Sequence, residues 1–117
     1  MSTESKPFKP SQPLKSARIT EGMDRTPHRA FLRAMGVAET DFGKPFVGIV
    51  SQHGETTPCS LSLGSKADAA RLGVASEQGI PVSFTTVSVS DGLSMNHKGM
   101  RMSLVSRELV ADSIEAV

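Results

Sequence analysis

The sequence predicts an α/β fold in which helices pack on a parallel sheet, and two observations carry this prediction. Helical and strand patterns alternate in the order helix, strand, helix, strand, helix, which is typical of parallel strands joined by right-handed crossovers. Both predicted strands are short runs of apolar or β-branched residues, as buried parallel strands are. Because two strands leave both sheet edges open, we expect the 117-residue chain to be part of an N-terminal domain that is incomplete as given.

The first half of the chain begins with a tail and continues with one helix and one strand. Residues 1–17 are rich in Pro, Ser and Lys and lack an apolar period, so we predict a flexible tail or a strap over a larger body. The domain proper is predicted to occupy residues 18–117. Its first helix begins at Thr26, which is followed by a proline, and ends near Gly36. Residues 46–50 (FVGIV) form the first predicted strand.

The second half of the chain contains two predicted helices and the second strand. A helical pattern covers residues 61–77, and residues 82–89 (VSFTTVSV) have strong β character. A polar loop is predicted over residues 90–99, and a last helix begins near Ser103. One face of this last helix is expected in the core. It consists of Leu109, Val110, Ser113, Ile114 and Val117, all apolar except Ser113.

Composition excludes several classes of protein. Thirteen basic and twelve acidic residues give a net charge of +1, and there are five Phe but no Trp or Tyr, so we expect no nucleic-acid partner. No apolar run is long enough to span a membrane, and the N-terminus lacks the apolar core of a secretion signal. The single cysteine cannot form an internal disulfide and fits a reducing compartment. We therefore expect a cytoplasmic protein without a membrane partner.

Two loops that follow the predicted strands carry the candidate site residues. Loops after parallel strands meet at the carboxyl edge of the sheet, where ligands of α/β proteins bind. Cys59 is expected at the start of a helix, where the helix dipole favours a thiolate that suits a soft metal or an iron–sulfur cluster. Asp91 offers a carboxylate that suits a hard cation such as Mg²⁺. From the residues alone, an inert thiol and an ordinary turn aspartate remain alternatives.

Other polar residues of the same region are weaker candidates. His53 and His97 lie in the two loops and could contact a substrate carboxylate or hydroxyl, or be solvated. Glu55 is a possible second carboxylate near the cysteine, and Arg101 and Arg107 could bind an anion. A simple anion-binding α/β module is therefore a further interpretation.

Four stretches of the sequence are more specific than the spacing of residue types alone would explain. They are ITEG with DRTP in residues 19–27, ETTPC in residues 55–59, VSVSDGLSM in residues 87–95, and residues 99–115 from GMR through SRE to ADSIE. Together they show that residues 17–117 resemble the N-terminal part of the dihydroxy-acid and sugar-acid dehydratase family.

The resemblance implies a hydro-lyase that converts 2,3-dihydroxy carboxylic acids to 2-keto acids in valine, isoleucine and leucine biosynthesis. It implies that Cys59 binds an iron–sulfur cluster, of 2Fe-2S or 4Fe-4S type, and that Asp91 binds Mg²⁺, with both metal centres acting as Lewis acids. The substrate is then a small dihydroxy acid and the complete protein a homodimer. There are two alternatives. One is a sugar-acid dehydratase that acts on phosphogluconate or an aldonate, and the other is a non-catalytic remnant.

The sequence also departs from the family pattern. Ser60 stands where members often have Asn, while Asn96 and Lys98 replace Gly and Glu. These changes leave both ligand positions intact and bear on substrate preference. The family's next motif, Cys-Asp-Lys, supplies further ligands and is not within the 117 residues. We therefore expect no catalytic residue within this segment, and expect the chain to be inactive by itself.

Overall fold

The structure, a computed structural model, describes residues 10–117, so the first nine residues of the predicted tail lie outside it. Helices and a two-stranded parallel sheet alternate along this part of the chain, which confirms the predicted α/β class. No helix within the described residues is long and apolar enough to span a bilayer. The elements are α1 (Ala17–Thr20), α2 (Thr26–Ala34), β1 (Phe46–Ser51), α3 (Leu63–Ser76), β2 (Ile80–Thr85), α4 (Asp91–Ser94) and α5 (Met102–Ala116).

The register of the sheet follows from two backbone hydrogen bonds at its ends. The Ile80 N–H donates to the Pro45 carbonyl at 2.8 Å, and the Thr86 N–H donates to the Ser51 carbonyl at 3.0 Å. Both bonds join residues with the same sequence separation, as parallel pairing requires. The loops that leave β1 and β2 therefore begin side by side at the carboxyl edge, as the sequence predicted.

The predicted second strand, residues 82–89, is displaced from the observed one. β2 begins two residues earlier, at Ile80, and ends at Thr85. Its length is set by its partner, because β1 ends at Ser51 and pairing stops one residue after Thr85. The β-branched run that continues to Val89 has no neighbouring strand to pair with in the described part of the chain, so propensity alone does not make it a strand.

The contacts of the chain cluster into two compact units. Among the described residues, the first comprises residues 10–47 together with Val74–Ile80, and the second comprises Gly48–Gly73 and Pro81–Val117. In the first unit, α2 begins at Thr26 as predicted and ends before Gly36, whose φ of 90° suits a glycine after a helix.

A single arginine ties the segment before α2 to that helix. The Arg29 guanidinium donates from Nη1 to the carbonyls of Thr20 at 3.1 Å and Gly22 at 2.7 Å. Its Nη2 donates to Oγ1 of Thr26 at 2.9 Å. The first bond satisfies the Thr20 carbonyl at the end of α1. Gly22 lies two residues beyond that helix, and its carbonyl also accepts from the Arg25 N–H at 3.3 Å. The Arg29 side chain thus connects three residues of the ITEG and DRTP stretches, Thr20, Gly22 and Thr26, by hydrogen bonds.

In the second unit, the face that α5 turns inward overlaps only in part with the predicted one. Its partly buried residues are mostly small and polar, namely Ser103, Ser106, Val110 and Ser113. The hydroxyls of Ser106 and Ser113 donate to carbonyls three residues earlier, at 3.0 and 2.7 Å, which satisfies them within the helix. Of the face expected in the core, Leu109 is 56% exposed and Val117 81% exposed. Ile114 is 46% exposed. The predicted core face was therefore wrong for Leu109, Ile114 and Val117, whereas Val110 and Ser113 are partly buried as predicted.

The Arg29 contacts generate a prediction about local stability. We expect R29A to weaken α1 and α2 by about 1 to 2 kcal/mol, because two backbone carbonyls lose a charged donor. Peptide-resolved hydrogen exchange measures this as faster exchange in residues 17–34. Arg18→Ala, at an exposed arginine of α1, is the matched control. Equal exchange in the two variants would show that the Arg29 bonds do not stabilise this segment.

Candidate functional site

A cleft of about 610 Å³ lies in the second unit at the carboxyl edge of the sheet. Cys59 and Asp91, the two predicted ligands, both line it. The structure therefore brings together the two residues that the sequence analysis placed in one site. The remaining lining residues are Gln52, Thr57, Pro58, Ser60, Leu63, Ser88, Val89, Ser90, Gly92, Leu93, Ser103, Ser106 and Arg107.

Cys59 lies in a tight 3-10 turn, Pro58–Ser60, that presents its thiol to solvent. The Ser60 N–H donates to the Thr57 carbonyl at 3.0 Å and closes the turn. Thr57 is 6% exposed and Ser60 is 2% exposed, so the turn is anchored on both sides of the exposed cysteine. Cys59, which was expected at the start of a helix, lies in this short 3-10 helix, and the α-helix that follows, α3, begins at Leu63.

Asp91 is the first residue of α4, a single helical turn inside the segment predicted as a loop. Ser90 precedes it with extended backbone, and its Oγ accepts a hydrogen bond from the Leu93 N–H at 3.3 Å. The Ser94 N–H donates to the Ser90 carbonyl at 3.0 Å. The Ser90 cap stabilises a helical turn within the segment predicted as a loop. The same cap fixes the backbone of Asp91 at the rim of the cleft.

A hydroxyl pair connects the cysteine turn to the segment that leads to Asp91. Oγ of Ser60 and Oγ of Ser88 are 2.9 Å apart, a hydrogen bond in which either atom can donate. Ser60 is almost fully buried, and Ser88 is half-buried. Sequence reasoning singled out Ser60 only as a departure from a family pattern, and did not identify Ser88 as a site residue.

His97 is held within its own loop. Its Nδ1 accepts from the Gly99 N–H at 3.0 Å, so the ring proton lies on Nε2, which donates to the Leu93 carbonyl at 2.8 Å. Both ring nitrogens are thereby engaged with backbone. His53 lies against α3, where a Cβ on Gly64 would approach its Cε1 to 3.0 Å. Neither His53 nor His97 is among the residues that line the cleft.

The remaining charged candidates divide between the cleft and its surroundings. Arg107 lines the cleft, whereas Glu55 and Arg101 do not. α5 adds two hydroxyls to the lining through Ser103 and Ser106, which share one helix face. Ser103, Ser106 and Val110 stand at positions i, i+3 and i+7, which share one face of a helix. This spacing is the sequence signal that could have identified the inward face.

The donor set of the cleft fits two different metal centres. A thiol is the donor that iron–sulfur clusters require, and a carboxylate is the donor that Mg²⁺ prefers. Cys59 and Asp91 each supply one such donor. Within residues 10–117, no group of three or more His, Cys, Asp or Glu side chains is placed to hold a metal ion.

Comparison with known proteins gives consistent matches. A family model described as dihydroxy-acid/6-phosphogluconate dehydratase N-terminal matches residues 44–117. Dihydroxy-acid dehydratase 2 of Bordetella bronchiseptica is 62% identical over 103 residues, which are 88% of this chain and 18% of that protein.

Two further relatives extend this result. Dihydroxy-acid dehydratase 3 of Bradyrhizobium diazoefficiens is 57% identical over 104 residues, 89% of this chain and 18% of that protein. Dihydroxy-acid dehydratase of an Arthrobacter species is 48% identical over 116 residues, 98% of this chain and 20% of that protein. The chain thus spans about a fifth of the length of the curated relatives it matches.

The close approach of Gly99 to His97 generates a prediction. A Cβ at residue 99 would lie 2.6 Å from Cε1 of His97, so we expect G99A to displace the ring and break its two backbone bonds. The cost should be about 1 to 3 kcal/mol of local stability, read as faster hydrogen exchange in residues 93–101.

Gly73→Ala is the control for this variant. A Cβ on Gly73 would contact nothing within 4 Å, and alanine favours a helix interior by about 1 kcal/mol. Exchange should therefore be unchanged or slower in α3. Unchanged exchange around His97 in G99A would contradict the proposed role of this glycine.

Proposed function

The chain belongs to the dihydroxy-acid/6-phosphogluconate dehydratase family, and on this basis we propose that it forms part of a hydro-lyase acting on 2,3-dihydroxy carboxylic acids. The reaction breaks the C3–OH bond and removes the C2 proton, which together leave as water, and the product is a 2-keto acid. The observation that carries the proposal is the placement of Cys59 and Asp91 in one cleft.

Cys59 and Asp91 have different roles in this proposal. The exposed Cys59 sulfur would hold an iron–sulfur cluster, and the Asp91 carboxylate would hold Mg²⁺. When bound, these two centres supply the Lewis acidity that a poor leaving group and a weak carbon acid need. The remaining ligands come from parts of the complete protein outside this chain.

Other residues of the cleft would bind and orient the substrate. Arg107 is a permanent cation at the cleft and would attract the carboxylate of the dihydroxy acid. The Ser103 hydroxyl can rotate to donate to, or accept from, a substrate hydroxyl, whereas Ser106, whose proton is donated to the Ser103 carbonyl, can accept from one.

The pathway, assembly and location of the complete protein belong to the same proposal. We place it in valine, isoleucine and leucine biosynthesis, in the cytoplasm and as a homodimer. The names of the relatives, dihydroxy-acid dehydratases, support the reaction class. The second part of the family's description, 6-phosphogluconate dehydratase, makes a sugar-acid substrate the second candidate.

Assays of the complete protein separate the two substrate classes. Turnover of a branched 2,3-dihydroxy acid, with little turnover of phosphogluconate or an aldonate, is the expected result. The reverse preference would assign the protein to sugar-acid dehydration and remove the proposed pathway role.

Substitution of the two proposed ligands generates a prediction. In the complete protein, we expect C59S to lose iron and D91N to bind Mg²⁺ weakly, each with a loss of turnover of about 100-fold or more. Iron analysis and Mg²⁺ titration measure the loading. Asp68→Asn, an exposed carboxylate on α3 that does not line the cleft, is the control and should behave as wild type. Full iron and Mg²⁺ loading in both variants would overturn the assignment of these ligands.

The isolated 117-residue chain provides a separate test. It contains one cysteine, whereas a cluster is held by several thiolate ligands. We therefore expect no dehydratase turnover from the purified chain after reconstitution with iron, sulfide and Mg²⁺. Measurable 2-keto acid formation would show that the chain is catalytically sufficient.

A further inference from the structure

We propose that Ser60 and Ser88 are positioning residues whose hydrogen bond sets the separation between the two metal-binding donors of the cleft. This inference rests on the proposed function, because it concerns how Cys59 and Asp91 are held for their two metals. Neither serine is proposed to bind a metal or substrate itself.

The first argument is the burial of Ser60. At 2% exposure, its hydroxyl has little access to water and depends on a protein partner. That partner is Oγ of Ser88, at 2.9 Å. Since Ser60 is the residue directly after Cys59 and closes the turn that presents the thiol, a bond to its side chain restrains the thiol through one peptide unit.

The second argument is the short path from Ser88 to Asp91. Ser88 lies three residues before Asp91, and the intervening Ser90 is fixed by its bond to the Leu93 N–H. The segment is therefore held at both ends, by Ser60 at one and by the cap of α4 at the other. A shift of the Ser60–Ser88 contact would move Cys59 relative to Asp91, and metal centres tolerate little error in ligand placement.

The expected effect is on metal binding beyond any effect on folding. In the complete protein, S60A and S88A should each weaken Mg²⁺ binding and speed iron loss by about five-fold, the size of one hydrogen bond. The double variant S60A/S88A should be no worse than either single variant, because each removes the same bond. Ser88→Thr keeps the hydroxyl and should restore both properties.

The experiment combines two readouts on each variant. Calorimetric titration with MgCl₂ gives the Mg²⁺ affinity, and the decay of visible absorbance under an iron chelator gives the rate of cluster loss. Ser113→Ala is the matched control, because Ser113 is also a half-buried serine with a satisfied hydroxyl but does not line the cleft. If S60A fails to fold, S88A and S88T carry the test, since Ser88 is only half-buried.

The outcomes separate this inference from the proposed function. A wild-type protein that binds neither iron nor Mg²⁺ would overturn both. A wild-type protein that binds both, with S60A and S88A equal to it or to S113A, would overturn the positioning role alone. If S60A and S88A had a lower melting temperature but unchanged metal binding, the Ser60–Ser88 bond would be a purely structural contact, and the positioning role would again be overturned. Weaker binding in both alanine variants, restored by S88T, supports the inference.

Discussion

The hydrogen bond from the Thr86 N–H to the Ser51 carbonyl closes the parallel pairing of β1 with β2. Parallel strands must run in the same direction, so the chain has to return to the start of the sheet between them, and α3 makes this return. Both strands then release their loops at one edge. One of these loops carries Cys59 and the other leads to Asp91, so the cleft exists only because the register brings the two loop origins together.

The sequence was sufficient for features that depend on local patterns. The alternation of α2, β1, α3, β2 and α5, the start of α2 at Thr26 and the sharing of one edge by Cys59 and Asp91 all follow from periodicity, capping and the topology of parallel sheets. The short helices α1 and α4 were not predicted. Strand length was not predictable in this way. The end of β2 is set by where its partner ends, a non-local property that the continuous β-branched run to Val89 concealed.

The details of the site depend on contacts that sequence reasoning had no means to weigh. The bond between Ser60 and Ser88 joins residues 28 positions apart. Serine is mostly found at exposed positions, so the residue type gave no indication that Ser60 is buried. The inward face of α5 was predicted only in part for a related reason. Its apolar residues predicted an inward face, whereas small hydroxyl residues occupy the partly buried side and satisfy themselves against their own helix.

Leu32, at 8% exposure, is the one buried hydrophobic side chain among residues 10–117, while Leu104 on α5 is 67% exposed. Unfolding raises the heat capacity of a protein in proportion to the apolar area newly brought into water. In the isolated 117-residue chain much of that area already contacts water, so the heat-capacity increment per residue of this chain should be small. A small increment flattens the curve of stability against temperature, and both cold and heat should then weaken the fold gradually.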